Sequence, residues 1–304
     1  MIFGVFCGLS AAVLNSVGYI FSARFLLHYK SALRMTVAAT LVMMAICLPF
    51  LAVLFPYGKF QQPGEILLMT VIWITAFWIG QGSFFMALKY FTASCLSSFL
   101  GLKIIVMALI FMFWKQENPG MWQWIAVILA AGAAVSFNWT GANLARPAGW
   151  LFLFTTLIGY CMCDIYDTPI RLRLMDCGYP LMKASLTATA LVYSALGLIS
   201  LPFLFRLRMT RKQFAYASPY AVLWIGSQIM LFACFGLLLP VFGNVILATR
   251  GIFSVLLAAL LAAVGISQFD SHISRSQWIK RGLSACAMTL SIAIYSFAKA
   301  GLLK

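Results

Sequence analysis

Four formal charges fall inside long apolar runs of this chain: Lys103, Asp164, Asp167 and Arg250. A charge at mid-bilayer costs about 2.5–3.5 kcal/mol even on the lenient insertion scale, so four isolated ones would cost on the order of 10 kcal/mol. They must face one another or a wet pocket. Lys103 lies midway along one run, in Leu100-Gly101-Leu102-Lys103-Ile104-Ile105-Val106. Arg250 lies midway along another, in Leu247-Ala248-Thr249-Arg250-Gly251-Ile252-Phe253, 147 positions later and so close to half the chain away. At 1.5 Å per residue, Asp164 sits roughly 6–8 Å past the centre of its run. Asp167, one turn on along the same face, approaches the membrane interface. Two cations at one depth could hold a carboxylate or a phosphate, with Asp164 as a proton site or a counter-charge released on binding. The alternative is structural: internal ion pairs that keep the helices in register. Both readings stand at this point.

Other side chains could join such a site. Asn15, Gln81, Gln228 and Asn244 are amides inside apolar runs, suited to helix–helix hydrogen bonds or to a solute. Tyr19, Trp78, Tyr160, Tyr166 and Trp224 could line a cavity. Arg24, Arg34, Arg171 and Lys183 lie near run ends, where a long side chain snorkels to headgroups or forms a gating salt bridge, and Asp167 joins them as a coupling or gating candidate. Catalytic chemistry is poorly supplied. His28 and His272 are the two histidines, both in breaks between runs, and no HExxH, GxSxG, P-loop or dinucleotide fingerprint occurs. No cofactor, metal site or built-in ATPase is therefore expected. The eight cysteines form no CxxC pair and mostly lie in apolar runs, as small hydrophobes do.

The elements that must position these groups follow from composition. Of 304 residues, 63% are hydrophobic and 9% charged, with mean hydropathy +0.99, against about 25% charged residues in a soluble domain. The bilayer must serve as solvent. The net charge of +15 is carried mainly by the breaks between runs, which suits anionic lipid headgroups better than nucleic acid. A span needs about 20 apolar residues. Charge, Pro and Gly divide the chain into ten candidate spans: 2–26, 33–55, 65–87, 92–114, 121–138, 149–170, 181–204, two sharing 219–266 with a break near Pro240 and Gly243, and 277–298. The first is read as a retained span rather than a signal peptide.

The halves echo each other. Leu33-Arg34-Met35-Thr36 resembles Met182-Lys183-Ala184-Ser185. Leu48-Pro49-Phe50 recurs as Leu201-Pro202-Phe203, Trp78-Ile79-Gly80 as Trp224-Ile225-Gly226, and Gln123-Trp124-Ile125 as Gln277-Trp278-Ile279. Tyr19 and Arg24 recur as Tyr166 and Arg171. All keep one order with similar offsets, as a duplication with loop insertions would give. Five spans per copy is odd, so the second copy, 146–304, must be inverted relative to the first, 1–145. Inverted repeats are a transporter signature, with the solute site near the midplane between them.

Met86-Ala87-Leu88-Lys89-Tyr90-Phe91-Thr92-Ala93-Ser94, then an apolar span, Glu117, Gln123-Trp124-Ile125 and the small-residue run Ala130-Ala131-Gly132-Ala133-Ala134 resemble the EamA-type drug/metabolite transporter superfamily. The resemblance implies ten transmembrane helices in a 5+5 inverted repeat around a central cavity, alternating access for a small organic solute, and cytoplasmic termini. Members often carry Pro midway along spans 4 and 9, at or next to the places Lys103 and Arg250 occupy here. Cation counts in the loops lean the other way on orientation.

The expectation is an all-α polytopic membrane protein of the inner membrane, monomer or homodimer, moving a small metabolite with an anionic group. The alternatives are an exporter of cationic or neutral amphiphiles using Asp164, or a polytopic membrane enzyme or lipid-handling subunit using His28 and His272.

Overall fold

In the computed structural model the described residues are 2–56, 63–91, 96, 99–114, 120–136, 147–238, 240–263 and 275–299. They form eleven α-helices and no strand. In chain order these are α1 (Ile2–Tyr29), α2 (Ala32–Leu54), α3 (Pro63–Ala87), α4 (Lys103–Trp114), α5 (Met121–Ser136), α6 (Pro147–Asp176), α7 (Leu181–Arg206), α8 (Arg211–Leu238), α9 (Pro240–Leu247), α10 (Arg250–Ala263) and α11 (Arg275–Lys299). Helices satisfy every internal backbone group without water, which an apolar chain in lipid requires. Six of them, α1, α2, α3, α6, α7 and α8, are long and apolar enough to cross a membrane. Where spans 4, 5 and 9 were expected, the described residues form shorter helices, whereas α11, 25 residues long, covers the whole of the expected span 10. The exterior is apolar, with Ile2, Phe6, Val53, Leu67, Leu151 and Phe205 all exposed. This is an integral, multi-pass membrane protein.

Two interruptions were not expected. The fourth run is broken by a 3₁₀ turn, Leu100–Leu102, and α4 begins at Lys103. The ninth is broken at Ala248 and Thr249, and α10 begins at Arg250. Bonds of the i to i−3 type tighten the chain there: the Thr249 N–H donates to the Ile246 carbonyl at 3.1 Å, and the Gly251 N–H to that of Ala248 at 3.2 Å. Such turns inside helices mark hinges or strain. Lys103 and Arg250 are thus the first residues of half-helices, not midpoints of continuous ones. The break between α8 and α9 falls at Pro240 as expected, while Gly243 lies inside α9.

Packing runs between the two halves of the chain. α3 lies against α6, α1 against α8, α2 against α7 and α5 against α11. The first turn of each half passes through a left-handed residue, Lys30 (φ 51°) after α1 and Gly178 (φ 86°) after α6. Gly178 has the easier task, since glycine lacks the Cβ that makes this region costly.

Candidate functional site

One face of each of four helices converges on a buried polar centre. On α6, Tyr160 and Asp164 are one turn apart, as are Asn15 and Tyr19 on α1. On α8, Tyr220, Trp224 and Gln228 follow the same spacing, and on α3 so do Trp73, Phe77 and Gln81. Residues four apart share a helix face, so each set presents one stripe.

The charges meet here. Lys103 Nζ lies 2.6 Å from Asp164 Oδ2, and the Asn244 amide donates to the same oxygen at 2.7 Å. Lys103 Nζ is also 5.8 Å from the centre of the Tyr160 ring, within reach of a cation–π attraction. Arg250 is 4% exposed. Its Nη1 donates a long bond to the Tyr19 hydroxyl at 3.5 Å, its carbonyl accepts from Ser16 Oγ at 2.8 Å, and its Nε has no partner among the described residues. No carboxylate among the described residues pairs with it. Asn15 Oδ1 and Trp73 Nε1 are likewise buried and unpartnered among those residues.

Lys103, Asp164 and Arg250 line one cavity together with Asn15, Tyr160, Trp224 and Gln228. Its free volume is about 20 Å³, room for roughly one water. The walls have closed on the charges, where an open central cavity was expected. A larger groove of about 680 Å³ runs between α4, α5 and α11 past Ile105, Ile128, Ala131 and Leu283. It is mostly apolar, its polar lining being Lys280 and the Ser136–Ser284 hydroxyl pair, bonded to each other at 2.8 Å, and it reads as a lipid-facing furrow.

Around the cavity, buried polar groups tie the helices together. Gln81 accepts from the Tyr160 hydroxyl and donates to that of Tyr220, both at 2.8 Å, so α3, α6 and α8 share one bridge. The Trp224 indole donates to the Tyr193 hydroxyl at 2.6 Å.

Several expected residues lie elsewhere. Trp78 points away from the cavity and packs on Phe203 of α7 at 5.4 Å between ring centres. Tyr166 is half-buried and packs into the core outside the cavity lining. Asp167 is fully buried, and Arg171 reaches back one turn to it at 2.9 Å. Arg171 therefore does not snorkel. It is 1% exposed, and its Nη1 also donates to the Phe232 carbonyl at 2.7 Å. Its counterpart in the repeat pattern, Arg24, is exposed beside the Tyr216 ring. Lys183 is exposed with its Nζ 4.0 Å from the centre of the Tyr179 ring, and Arg34 is half-buried in the first turn of α2, where its N–H donates to Ser31. These three keep to helix ends, as snorkelling side chains do. His28 stacks on Tyr216, and His272 lies outside the described residues.

The cavity also takes Trp73, Phe77, Cys163, Tyr193 and Phe232, none of them picked out from sequence. A signal was present for two. Stepping back four and eight positions from Gln81 gives Phe77 and Trp73, whereas Trp78 falls on another face of α3.

Among known proteins, the family described as the EamA-like transporter family matches residues 2–139. No curated protein matches. A solved structure described only as the crystal structure of a protein is similar with a TM-score of 0.64 and 13% identity, covering 99% of each chain. That likeness shows a fold shared with that structure over the full length.

Proposed function

Because residues 2–139 match the EamA-like transporter family, part of the drug/metabolite transporter superfamily, we propose that the chain is a secondary transporter that carries a small organic metabolite with an anionic group by alternating access. One observation carries the anionic part of this reading: Arg250 is buried beside the Lys103–Asp164 pair with no carboxylate of its own among the described residues. An unpaired buried cation is expensive. A solute that supplies the missing negative charge recovers that energy, so the site favours anions over neutral or cationic solutes. The cationic-amphiphile alternative fits less well, since Asp164 is already held by Lys103 and Asn244.

The packing pattern supports two inverted five-helix copies, 1–145 and 146–304. Exchanging the halves turns the α1–α8 contact into the α6–α3 contact and returns α2–α7 and α5–α11 to themselves. The same exchange carries Lys103 onto Arg250, each opening a half-helix after a tight turn. Helices broken at a central site are the usual device by which transporters meet their solutes. The breaks at Leu100–Leu102 and at Ala248–Thr249 are where the closed cavity would open to either side, in the inner membrane.

The test is a thermal-shift and uptake screen of the purified, reconstituted chain against anionic, neutral and cationic metabolites. A ligand at 100 times its dissociation constant stabilises by about 2.7 kcal/mol. Stabilisation by anions that R250Q abolishes is the expected result. Binding and transport unchanged in both R250Q and K103M would overturn the proposal.

A further inference from the structure

The anion site has a charge count as well as a sign. Among the described residues, the charged side chains lining the cavity are Lys103, Asp164 and Arg250. Two positive charges face one negative, and the negative one is already committed: Asp164 Oδ2 receives Lys103 at 2.6 Å and Asn244 at 2.7 Å. The nearby Asp167–Arg171 pair lies outside the lining and cancels within itself at 2.9 Å. One positive charge is left over, on Arg250, whose Nε is a buried and unpartnered donor.

We infer that the cavity is matched to a monoanion, and that Asp164 sets this selectivity by occupying Lys103. This rests on the proposal that Lys103 and Arg250 form an anion site, and it adds which anions the site takes and which residue decides. In a closed pocket the cheapest bound state is the electrically neutral one, because a leftover charge has no water to solvate it. A single carboxylate on Arg250 brings the cavity to neutrality with the Lys103–Asp164 bridge intact. A dianion leaves one excess negative charge, or must break that bridge and leave Asp164 with Asn244 alone. Either outcome penalises it. The rest of the solute meets aromatic faces, Trp73, Phe77 and Trp224, with the Trp73 indole N–H and Asn15 Oδ1 free to hydrogen-bond. The substrate class is a small monocarboxylate with a planar apolar body.

Removing the charge of Asp164 while keeping its shape frees Lys103 and leaves two unpaired cations. The preference must then move from one negative charge to two. Benzoate and isophthalate share a ring and differ by one carboxylate, so they read the charge alone. For the purified full-length chain in detergent, titration calorimetry should give benzoate a dissociation constant at least about tenfold below that of isophthalate, the step expected from a 1.4 kcal/mol penalty. D164N should reverse that order. K103M/D164N, which returns the cavity to a single cation, should prefer benzoate again and serves as the second arm if D164N is poorly folded. An unchanged ratio in D164N, or no benzoate preference in K103M/D164N, overturns the inference. If both anions bind through Arg250 but D164N leaves the ratio unmoved, charge matching falls and the anion site survives. If neither anion binds wild type any better than R250Q, the anion site itself falls.

Discussion

Gly159 of α6 and Gly80 of α3 meet backbone to backbone: a Cβ added to Gly159 would stand 2.7 Å from Gly80 Cα and 2.8 Å from the Ala76 carbonyl oxygen. Rigid backbone occupies that space, so nothing can swing aside. Small residues let helices approach this closely in lipid, where packing rather than the hydrophobic effect holds them together. G159A should lower stability by about 1–3 kcal/mol, the usual cost of overpacking. Gly226, the counterpart of Gly80 in the repeated Trp-Ile-Gly motif, is looser. Its added Cβ would meet only Leu14 Cδ1 at 3.5 Å. G226A should therefore melt at or slightly above the wild-type temperature, since alanine is the better helix former. Thermal melts in detergent check both.

The three cavity charges should separate in stability as well as in binding. K103M leaves Asp164 buried with only Asn244, and breaking one side of a buried pair costs about 3–5 kcal/mol. Adding D164N to it should recover most of that loss. R250Q removes a cation that has no carboxylate partner among the described residues, so it should melt at or above wild type while losing anion binding. A large loss of stability in R250Q, without any change in binding, would make Arg250 structural.

A contrast between two ion pairs on α6 follows from burial alone. Asp167–Arg171 is fully enclosed at 2.9 Å, while Arg173–Glu65 joins α6 to α3 at 2.7 Å with both side chains nearly half exposed. R171Q should cost about 3–5 kcal/mol by stranding Asp167, whereas E65Q should change stability by less than about 1 kcal/mol. Unfolding of the two variants side by side, at low and high salt, measures the difference.

Much of this architecture was legible because lipid imposes simple rules. Apolar runs bounded by charge and proline located all six long helices, four of them to within about three residues. α6 runs six residues past its expected end and α8 starts eight before its expected beginning, while the break near Pro240 was legible too. Lys103, Asp164 and Arg250 stood out because ionised groups are costly at that depth, and they do share one cavity. The turns at Leu100–Leu102 and Ala248–Thr249 were not legible, since neither contains proline and a glycine beside a break is a weak signal. Arg171 was left open between snorkelling and a salt bridge because a long side chain near a run end can turn either way. What turned it inward is Asp167 one helical turn before it and the Phe232 carbonyl from α8, and the second of these is a tertiary contact. Trp78 was among the cavity candidates and Trp73 was not, and helical phase relative to Gln81 favours Trp73.

Gln81 is a further joint between the halves. Its carbonyl receives the Tyr160 hydroxyl from α6 and its amide donates to the Tyr220 hydroxyl of α8, each at 2.8 Å. Q81L would fill similar space but strand a buried donor on Tyr160 and leave Tyr220 one bond short. A stranded buried polar group costs about 1–3 kcal/mol, so Q81L should melt well below wild type. Y160F removes the donor instead of its acceptor and leaves Gln81 still bonded to Tyr220, so it should cost less than Q81L. Placing Y160F in the Q81L background should then recover part of the loss, because the stranded hydroxyl is gone. A double-mutant cycle on the melting free energies reads this directly. Simple additivity of the two changes would mean that the three helices are held together by apolar packing, with the amide bridge incidental to it.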